Sequence, residues 1–183
     1  MKILIITVMS FLTISCVPKV DKTADLAKKI MSDQSMKKVE DMARDLMKKG
    51  FYAGSGYQMV WSRDLNTFIE LSCEEYDVNI IRENLLMFFH FQQENGELLD
   101  VPKEAFTWGD PNTYESVTAP GYIGFKNTVE TDQETSLIQA ISKYIGKTND
   151  RSILTEKIAG KTVYERLTMS IEYLLKERYS EKY

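Results

Sequence analysis

The chain has 183 residues, 43% of them hydrophobic, and a formal net charge of −4. This length supports one ordinary hydrophobic core, so we expect one globular domain. Lys and Arg are outnumbered by Asp and Glu, 23 to 27, and no basic block with interleaved aromatic residues occurs, which excludes the charge pattern of a nucleic-acid-binding protein. A neutral polar ligand fits this charge balance better than a nucleic acid does.

Residues 1–15 are typical of a secretory signal peptide. Lys2 gives a positive start, and residues 3–14 form an apolar run that is too short to span a bilayer. The small residue Ser15 then precedes Cys16. The sequence therefore predicts an exported protein.

The segment Thr13-Ile14-Ser15-Cys16 is similar to a bacterial lipobox, although Thr13 stands where Leu, Val or Ile is usual. We therefore expect lipidation at Cys16, with residues 16–23 as a tether to a membrane of the cell envelope, in the periplasm or at the cell surface. Cys73 is then left without a disulfide partner. Its apolar neighbours predict a buried free thiol rather than a nucleophile.

From residue 24 onward the apolar residues recur at helical spacing, and no two-residue alternation is long enough to indicate a strand. Thr23 can cap a first helix. A second helix carries Val39 and Met42 on its apolar stripe and ends before Gly50. The sequence therefore predicts an all-α domain over residues 24–183.

The third predicted helix begins at the end of an aromatic and polar cluster, Tyr57-Gln58-Met59-Val60-Trp61-Ser62-Arg63-Asp64. An indole ring can stack on the apolar face of a sugar, and a guanidinium or a carboxylate can grip two of its hydroxyl groups. The cluster therefore suits a saccharide site formed by Trp61, Arg63 and Asp64. It also fits a plain helix start, in which Ser62 caps the helix, Asp64 complements its positive end and Arg63 faces solvent.

The fourth predicted helix, from Ile80 to Phe91, is apolar around nearly its whole circumference, which predicts burial on several sides. His90 interrupts this helix, and glutamates are scattered near it. One histidine with dispersed glutamates lacks the ligand clustering of a metal site, so we expect neither a metal nor another cofactor.

A long segment without helical periodicity follows, over about residues 97–129, and it is rich in Pro and Gly. Loops of this length in compact domains are usually functional or disordered, and the aromatic content favours function. The aromatic side chains could stack at the mouth of a site, to which we assign Trp108, or could fasten the loop to the domain. They are Phe106, Trp108, Tyr114, Tyr122 and Phe125.

Helical periodicity returns at Thr131, which has the spacing of a capping box with Glu134. This places Asp132 and Gln133 in the first turn. Their side chains could reach the end of a helix-lined cavity, or an acid there could serve only the helix dipole. Two further helical segments complete the chain, near residues 151–158 and over about residues 162–179.

Three motifs follow one another along the chain: Trp61-Ser62-Arg63-Asp64, Gln92-Gln93-Glu94-Asn95-Gly96-Glu97-Leu98 and Glu130-Thr131-Asp132-Gln133. Their order resembles the six-hairpin (α/α-toroid) glycosidases. The nearest comparison is with amylo-alpha-1,6-glucosidase and glucoamylase-like domains, which carry Trp-x-Arg-Asp, then Gln-x-x-x-Gly, then an Asp-containing helix start. Those proteins alternate outer and inner helices around a central pocket and hydrolyse glycosidic bonds. The resemblance covers roughly residues 51–179.

The resemblance implies a partial α/α toroid of about three helical hairpins that binds an oligosaccharide or glycan. It implies that Arg63 and Asp64 hold sugar hydroxyl groups, that Trp61 lines the subsite, and that Asp132 and Gln133 lie on the same rim. The general acid and base of these enzymes lie beyond the matched region, and hydrolysis needs two positioned carboxyl groups. We therefore expect an inactive N-terminal portion of a glycoside hydrolase-like protein.

A second hypothesis is a non-catalytic helical-repeat lipoprotein that binds a glycan or a partner protein, because stacked helical hairpins produce the same periodicity. No fixed repeat period is visible in the sequence. Half a toroid would expose the apolar faces meant for its missing neighbours, so the first hypothesis also predicts self-association.

Overall fold

The computed structural model describes residues 22–48, 59–102, 112–126 and 132–178. The predicted signal peptide, the lipidation site Cys16 and the loop residues Phe106 and Trp108 lie outside the described residues. The chain divides into two compact units, residues 1–40 and 41–183.

The described residues are mostly helical and carry only small sheets, in agreement with the predicted all-α class. Their α-helices are α1 (Lys22–Ser32), α2 (Gln34–Met47), α3 (Ser62–Glu75), α4 (Val78–Met87), α5 (Gln133–Thr148) and α6 (Val163–Tyr173). The strands pair as antiparallel two-stranded sheets: β1 (Met59–Val60) with β2 (Val101–Pro102), β3 (Thr113–Glu115) with β4 (Ile123–Phe125), and β5 (Lys157–Ile158) with β6 (Lys161–Thr162). Short 3₁₀ or π turns cover Phe88–His90, Arg151–Thr155 and Leu174–Arg178.

In the first unit, α1 begins at Lys22, two residues earlier than the sequence indicated. Thr23 therefore lies inside the helix and does not cap it. No residue of α1 is buried, and Leu26 and Ile30 are 57% and 46% exposed. The expected self-association stays a prediction.

The second unit is built around α3, α4 and α5, whose apolar stripes face one another. Leu65 and Ile69 of α3, Leu85 of α4 and Leu137 of α5 are all 0% exposed. Burying a side chain of this size stabilises the fold by about 1.5–3 kcal/mol. The i, i+4 spacing of Leu65 and Ile69 places both on one face of the helix, as their positions in the sequence predicted.

Helices α3 and α5 run parallel to each other. Polar contacts join the start of α3 to the start of α5 and the end of α3 to the end of α5. The contacts are Arg63 with Asp132 at 2.7 Å, Asn66 with Gln139 at 3.2 Å and Glu74 with Lys147 at 2.6 Å. The two helix N-termini therefore lie at the same end of the unit, and α4 lies between them in the chain.

In the fourth predicted helix, Ile81, Leu85, Phe88 and Phe89 are buried whereas Ile80 is 43% exposed, and the α-helix ends at Met87 rather than at Phe91. One expectation about this unit was wrong. The segment after residue 97 was expected to be irregular, yet its described part forms β2 and the β3–β4 pair. Strands of two or three residues are too short to show the alternation by which a strand is recognised in a sequence.

The short helical segment expected near residues 151–158 is present as the 3₁₀ helix Arg151–Thr155, and a tight hairpin follows it. The 3₁₀ turn ends at Thr155, and β5 turns back into β6 through Ala159 and Gly160, which both have positive φ values of 46° and 83°. Helix α6 then begins with a capping box, in which Thr162 and Glu165 satisfy each other's backbone N–H groups. In the part of the chain that the structure describes, no helix is both long enough and apolar enough to cross a membrane.

Candidate functional site

The starts of α3 and α5 are joined at the surface by a two-bond ion pair. Arg63 Nε donates to Asp132 Oδ2 at 2.7 Å, and Arg63 Nη2 donates to Asp132 Oδ1 at 3.1 Å. The two side chains remain 48% and 44% exposed. Two motifs that the family resemblance places on one rim are therefore in direct contact, although the paired residues are 69 positions apart in the chain.

Trp61 immediately precedes α3 in an extended backbone conformation, with φ −87° and ψ 130°. Its ring meets Phe125 of β4 edge to face, with the centroids 6.4 Å apart and an interplanar angle of 68°. This geometry is favourable for two aromatic rings. The sequence left open whether the loop aromatics line a site or fasten the loop, and Phe125 fastens β4 to the residue at the head of the proposed site.

Asp100 lies beneath this rim and was missed by sequence reasoning. It is only 1% exposed, and its Oδ1 accepts a hydrogen bond from the backbone N–H of Ser62 at 3.1 Å. The expected cap at Ser62 was wrong: Trp61 occupies the N-cap position without a side-chain bond, and Asp100 supplies an acceptor from a distant segment. The only signal in the sequence was an acid inside the apolar run Leu98-Leu99-Asp100-Val101.

The remaining predicted rim residues differ in exposure. Asp64 is half-buried in the first turn of α3. Asp132 is the N-cap residue of α5 and Gln133 is its first helical residue, but the Gln133 side chain is only 6% exposed. Trp108 lies outside the described residues. The structure therefore brings together Trp61, Arg63 and Asp132 at one end of the parallel helix pair.

Glu134 is a buried acid in the first turn of α5, whose N-cap residue is Asp132; Thr131, its partner in the predicted capping box, lies outside the described residues. Glu134 Oε1 accepts a hydrogen bond from Leu98 N–H at 3.0 Å, and the residue is 2% exposed. Burial raises the pKa of the Glu134 carboxyl, against the lowering effect of this backbone donor, and Glu97 raises it further. Residues 98–100 therefore contact the starts of both helices: Leu98 bonds Glu134 of α5, and Asp100 bonds Ser62 of α3.

We expect Glu134→Gln to change how stability depends on pH. A carboxyl with a raised folded-state pKa makes the folded state lose stability as pH rises from the ordinary Glu value, about 4.3, through the raised value. The variant should therefore gain stability relative to the parent as pH rises from 4 to 7, measured by urea unfolding at each pH. A constant difference between variant and parent would contradict this expectation.

Glu165→Gln is the matched control for this pH series. Glu165 is exposed, and hydrogen bonds from the Thr162 backbone and side chain lower the pKa of its carboxyl. A group with a lowered folded-state pKa stabilises the fold above its unfolded-state pKa and loses this contribution as pH falls. The control should therefore lose stability relative to the parent as pH rises, with the opposite sign to Glu134→Gln.

A third buried acid, Glu97, contacts residues of three separate segments. It is 7% exposed and accepts hydrogen bonds from the Tyr173 hydroxyl at 2.9 Å and from Lys126 Nζ at 2.8 Å, with Arg178 at 3.7 Å. The hydrogen bond from Lys126 to Glu97 raises the pKa of Lys126, and burial, followed by the hydrogen bond from the Tyr173 hydroxyl to Glu97, raises the pKa of Tyr173. The Glu97 carboxyl is surrounded by these donors. Its hydrogen bonds link residue 97 to Tyr173 of α6 and to Lys126, the residue after β4.

The Gln-x-x-x-Gly motif serves the packing of α6. Gln92 Nε2 donates to the carbonyl oxygens of Gly96 and Arg166 at 3.1 and 2.8 Å and to Ser170 Oγ at 2.9 Å. Gly96 has φ +98°, and a Cβ built on it would overlap the carbonyl oxygen of Met169. These contacts give the motif a structural role at α6 rather than a place beside Arg63.

Neither His90 nor Cys73 forms a reactive centre with its neighbours. His90 Nδ1 lies 2.9 Å from Thr118 Oγ1, and burial, with repulsion from Arg166, lowers the pKa of its imidazole. Cys73 is a partly buried free thiol whose pKa is raised by burial, which disfavours the thiolate. No group of three or more His, Cys, Asp or Glu residues among those described could hold a metal ion.

Comparisons with models of protein families, with curated proteins and with solved structures find no match to this chain.

Proposed function

We propose that the chain forms the saccharide-binding side of a six-hairpin glycosidase-like domain, with a subsite at the common end of α3 and α5. The observation that carries this proposal is the Arg63–Asp132 pair, which joins the Trp-x-Arg-Asp motif to the Asp-containing helix start. In a toroid of alternating outer and inner helices, successive inner helices run in the same direction. The parallel pair α3 and α5, with α4 between them in the chain, is compatible with two inner helices and one outer helix.

The exposed ion pair has the chemistry of a hydroxyl-binding site. Each carboxylate oxygen can accept a second hydrogen bond, and a guanidinium carries five N–H donors, so adjacent sugar hydroxyls can bridge both groups. Trp61 supplies an aromatic ring beside them for the apolar face of a sugar. The family resemblance assigns Asp64 to the same subsite, and the aromatic content of its loop assigns Trp108 there. Gln133, which the resemblance also assigns, is only 6% exposed.

The proposed activity is binding rather than hydrolysis. Cleavage of a glycosidic bond needs two carboxyl groups on opposite sides of the bond. The two acids with the deepest burial near the rim, Asp100 and Glu134, are 1% and 2% exposed and are bonded to backbone N–H groups, so they are not placed to meet a substrate. With lipidation at Cys16, the binding domain would be held at a membrane of the cell envelope.

The test is a titration of the chain with linear and branched α-gluco-oligosaccharides, measured by calorimetry and by tryptophan fluorescence. We expect Arg63→Met to weaken binding at least tenfold, about 1.4 kcal/mol, because a charge-assisted contact is lost. Arg151→Met, the same substitution at an exposed arginine of the 3₁₀ turn that precedes β5, should leave the affinity unchanged.

Three results would count against the proposal. Equal affinity of the parent, Arg63→Met and Arg151→Met would move the sugar site elsewhere. Absence of binding to any oligosaccharide would favour the second hypothesis, a helical-repeat protein that binds a partner protein. Turnover of aryl glycosides that is lost in Asp64→Ala would show that the catalytic groups are present.

A further inference from the structure

The position of the Trp61 ring depends on two neighbours, and both are held by Asp100. The residue after Trp61, Ser62, donates its backbone N–H to the Asp100 carboxylate at 3.1 Å. The ring that meets Trp61 edge to face belongs to Phe125, whose backbone exchanges two hydrogen bonds with Asp100, at 3.0 and 2.6 Å. The side chain of Asp100 thus bonds the residue after Trp61, and its backbone bonds the residue whose ring contacts the indole.

The strands next to Asp100 extend this arrangement. Val101 pairs with Val60, the residue before Trp61, in the β1–β2 sheet. The segment Val60–Ser62 is therefore held on one side by β2 and at the head of α3 by the Asp100 carboxylate. An acid at a helix N-terminus is favoured by the helix dipole and by its N–H donors, which offsets the cost of its burial.

We propose that Asp100 is a positioning residue for Trp61: it fixes the orientation of the indole ring and so sets the stacking surface of the sugar subsite. The second half of this statement rests on the proposed function. The first half does not, because ring orientation can be measured without a sugar.

A purely structural cap would have a different signature. A cap that only stabilises α3 would lower the stability of the unit when it is removed, but it would leave the surroundings of Trp61 unchanged in the folded protein. Removing a positioning residue changes both the stability of the unit and the surroundings of Trp61. Asp100→Asn retains an oxygen acceptor of the same reach, so it should keep the stability of the unit and the surroundings of Trp61 as they are in the parent. The variant therefore separates the effect of the hydrogen bond from the effect of the charge.

The experiment uses the full chain with Trp108→Phe, which leaves Trp61 as the single tryptophan of the two in the sequence. Trp61 is labelled with 5-fluorotryptophan and followed by ¹⁹F NMR and by acrylamide quenching. Asp100→Ala should shift and broaden the resonance and raise the quenching constant, whereas Asp100→Asn should match the parent. Phe125→Leu, which leaves the cap in place, should also shift the resonance.

Thr162→Ala is the control, because it removes the side-chain cap of α6 and should lower stability without moving the Trp61 signal. An unchanged Trp61 signal in Asp100→Ala would overturn the proposal, and so would an equal change in Thr162→Ala. If Asp100→Ala fails to fold, an unchanged resonance in Phe125→Leu or a shifted one in Asp100→Asn would overturn it.

Sugar titration separates the two proposals. Asp100→Ala should bind the oligosaccharide about tenfold more weakly than the parent, in proportion to the loss of an ordered stacking ring. If the parent binds no sugar while the ring still depends on Asp100, the proposed function fails and the positioning role stands. If the ring moves and sugar affinity does not change, Asp100 does not set the stacking surface.

Discussion

Replacing Gly96 with alanine will lower the free energy of unfolding by about 3 kcal/mol, as the sum of a backbone cost and an overlap cost. The backbone cost arises because Gly96 has φ +98°, a conformation that side-chain-bearing residues rarely adopt. The overlap cost arises because the new Cβ would meet the backbone carbonyl of Met169, which belongs to α6 and cannot rotate away as a side chain can. Urea unfolding followed by circular dichroism will measure the change.

Gly121→Ala is the matched control for this substitution. Gly121 has φ +88°, but a Cβ built on it meets no atom within 4 Å. It should therefore cost only the backbone strain, about 1–2 kcal/mol. Equal losses in the two variants would show that close packing of Gly96 against α6 contributes nothing to stability.

A large effect at Gly96 would also assign the second motif to the fold. Gln92 and Gly96 contact α6 through Arg166, Ser170 and Met169, and nothing in this network requires a ligand. The first and third motifs behave differently, since Arg63 and Asp132 meet at an exposed rim. The two kinds of motif are indistinguishable in the sequence and separate only when their partners are known.

The helices that carry the candidate site could be predicted because their signals are local. A helix over about residues 62–76 is observed as Ser62–Glu75, since its apolar residues recur at i, i+3 and i+4 and all face one core. The placement of Asp132 at the next helix start was also correct. The family resemblance, and not the periodicity, implied that Arg63 and Asp132 lie on one rim, and their ion pair was not predicted.

The features that sequence reasoning missed all depend on partners distant in the chain. In the sequence, Asp100 is an isolated acid in an apolar run. Its hydrogen-bond partner Ser62 lies 38 residues away and is identified only by the structure. The spacing Thr-x-x-Glu occurs at Thr131, which lies outside the described residues, and again at Thr162, which forms a capping box with Glu165. Glu134 is buried and accepts a hydrogen bond from Leu98, whereas Glu165 is exposed and accepts one from Thr162 at the start of its own helix. Tertiary burial decides which local pattern is used.

Replacing Arg166 with methionine will lower the free energy of unfolding by about 3 kcal/mol, because buried acceptors lose a charged donor. Arg166 is 6% exposed; its Nε donates to the Ile158 carbonyl at 3.1 Å and its Nη1 donates to Gln92 Oε1 at 3.1 Å. Methionine fills most of the volume of the arginine stem, so the loss reports the hydrogen bonds more than packing. Chemical unfolding at neutral pH will measure it.

Arg63→Met provides the contrast, because Arg63 also makes two charge-assisted bonds but is 48% exposed. Ion pairs at this exposure contribute about 0–1 kcal/mol, so the variant should unfold almost as the parent does. A loss as large as that of Arg166→Met would assign Arg63 to the fold and remove the reason to look for its ligand. If the loss is small, the fold does not need the bidentate pair at the head of α3 and α5, and the weaker sugar binding expected of the same variant cannot be attributed to unfolding.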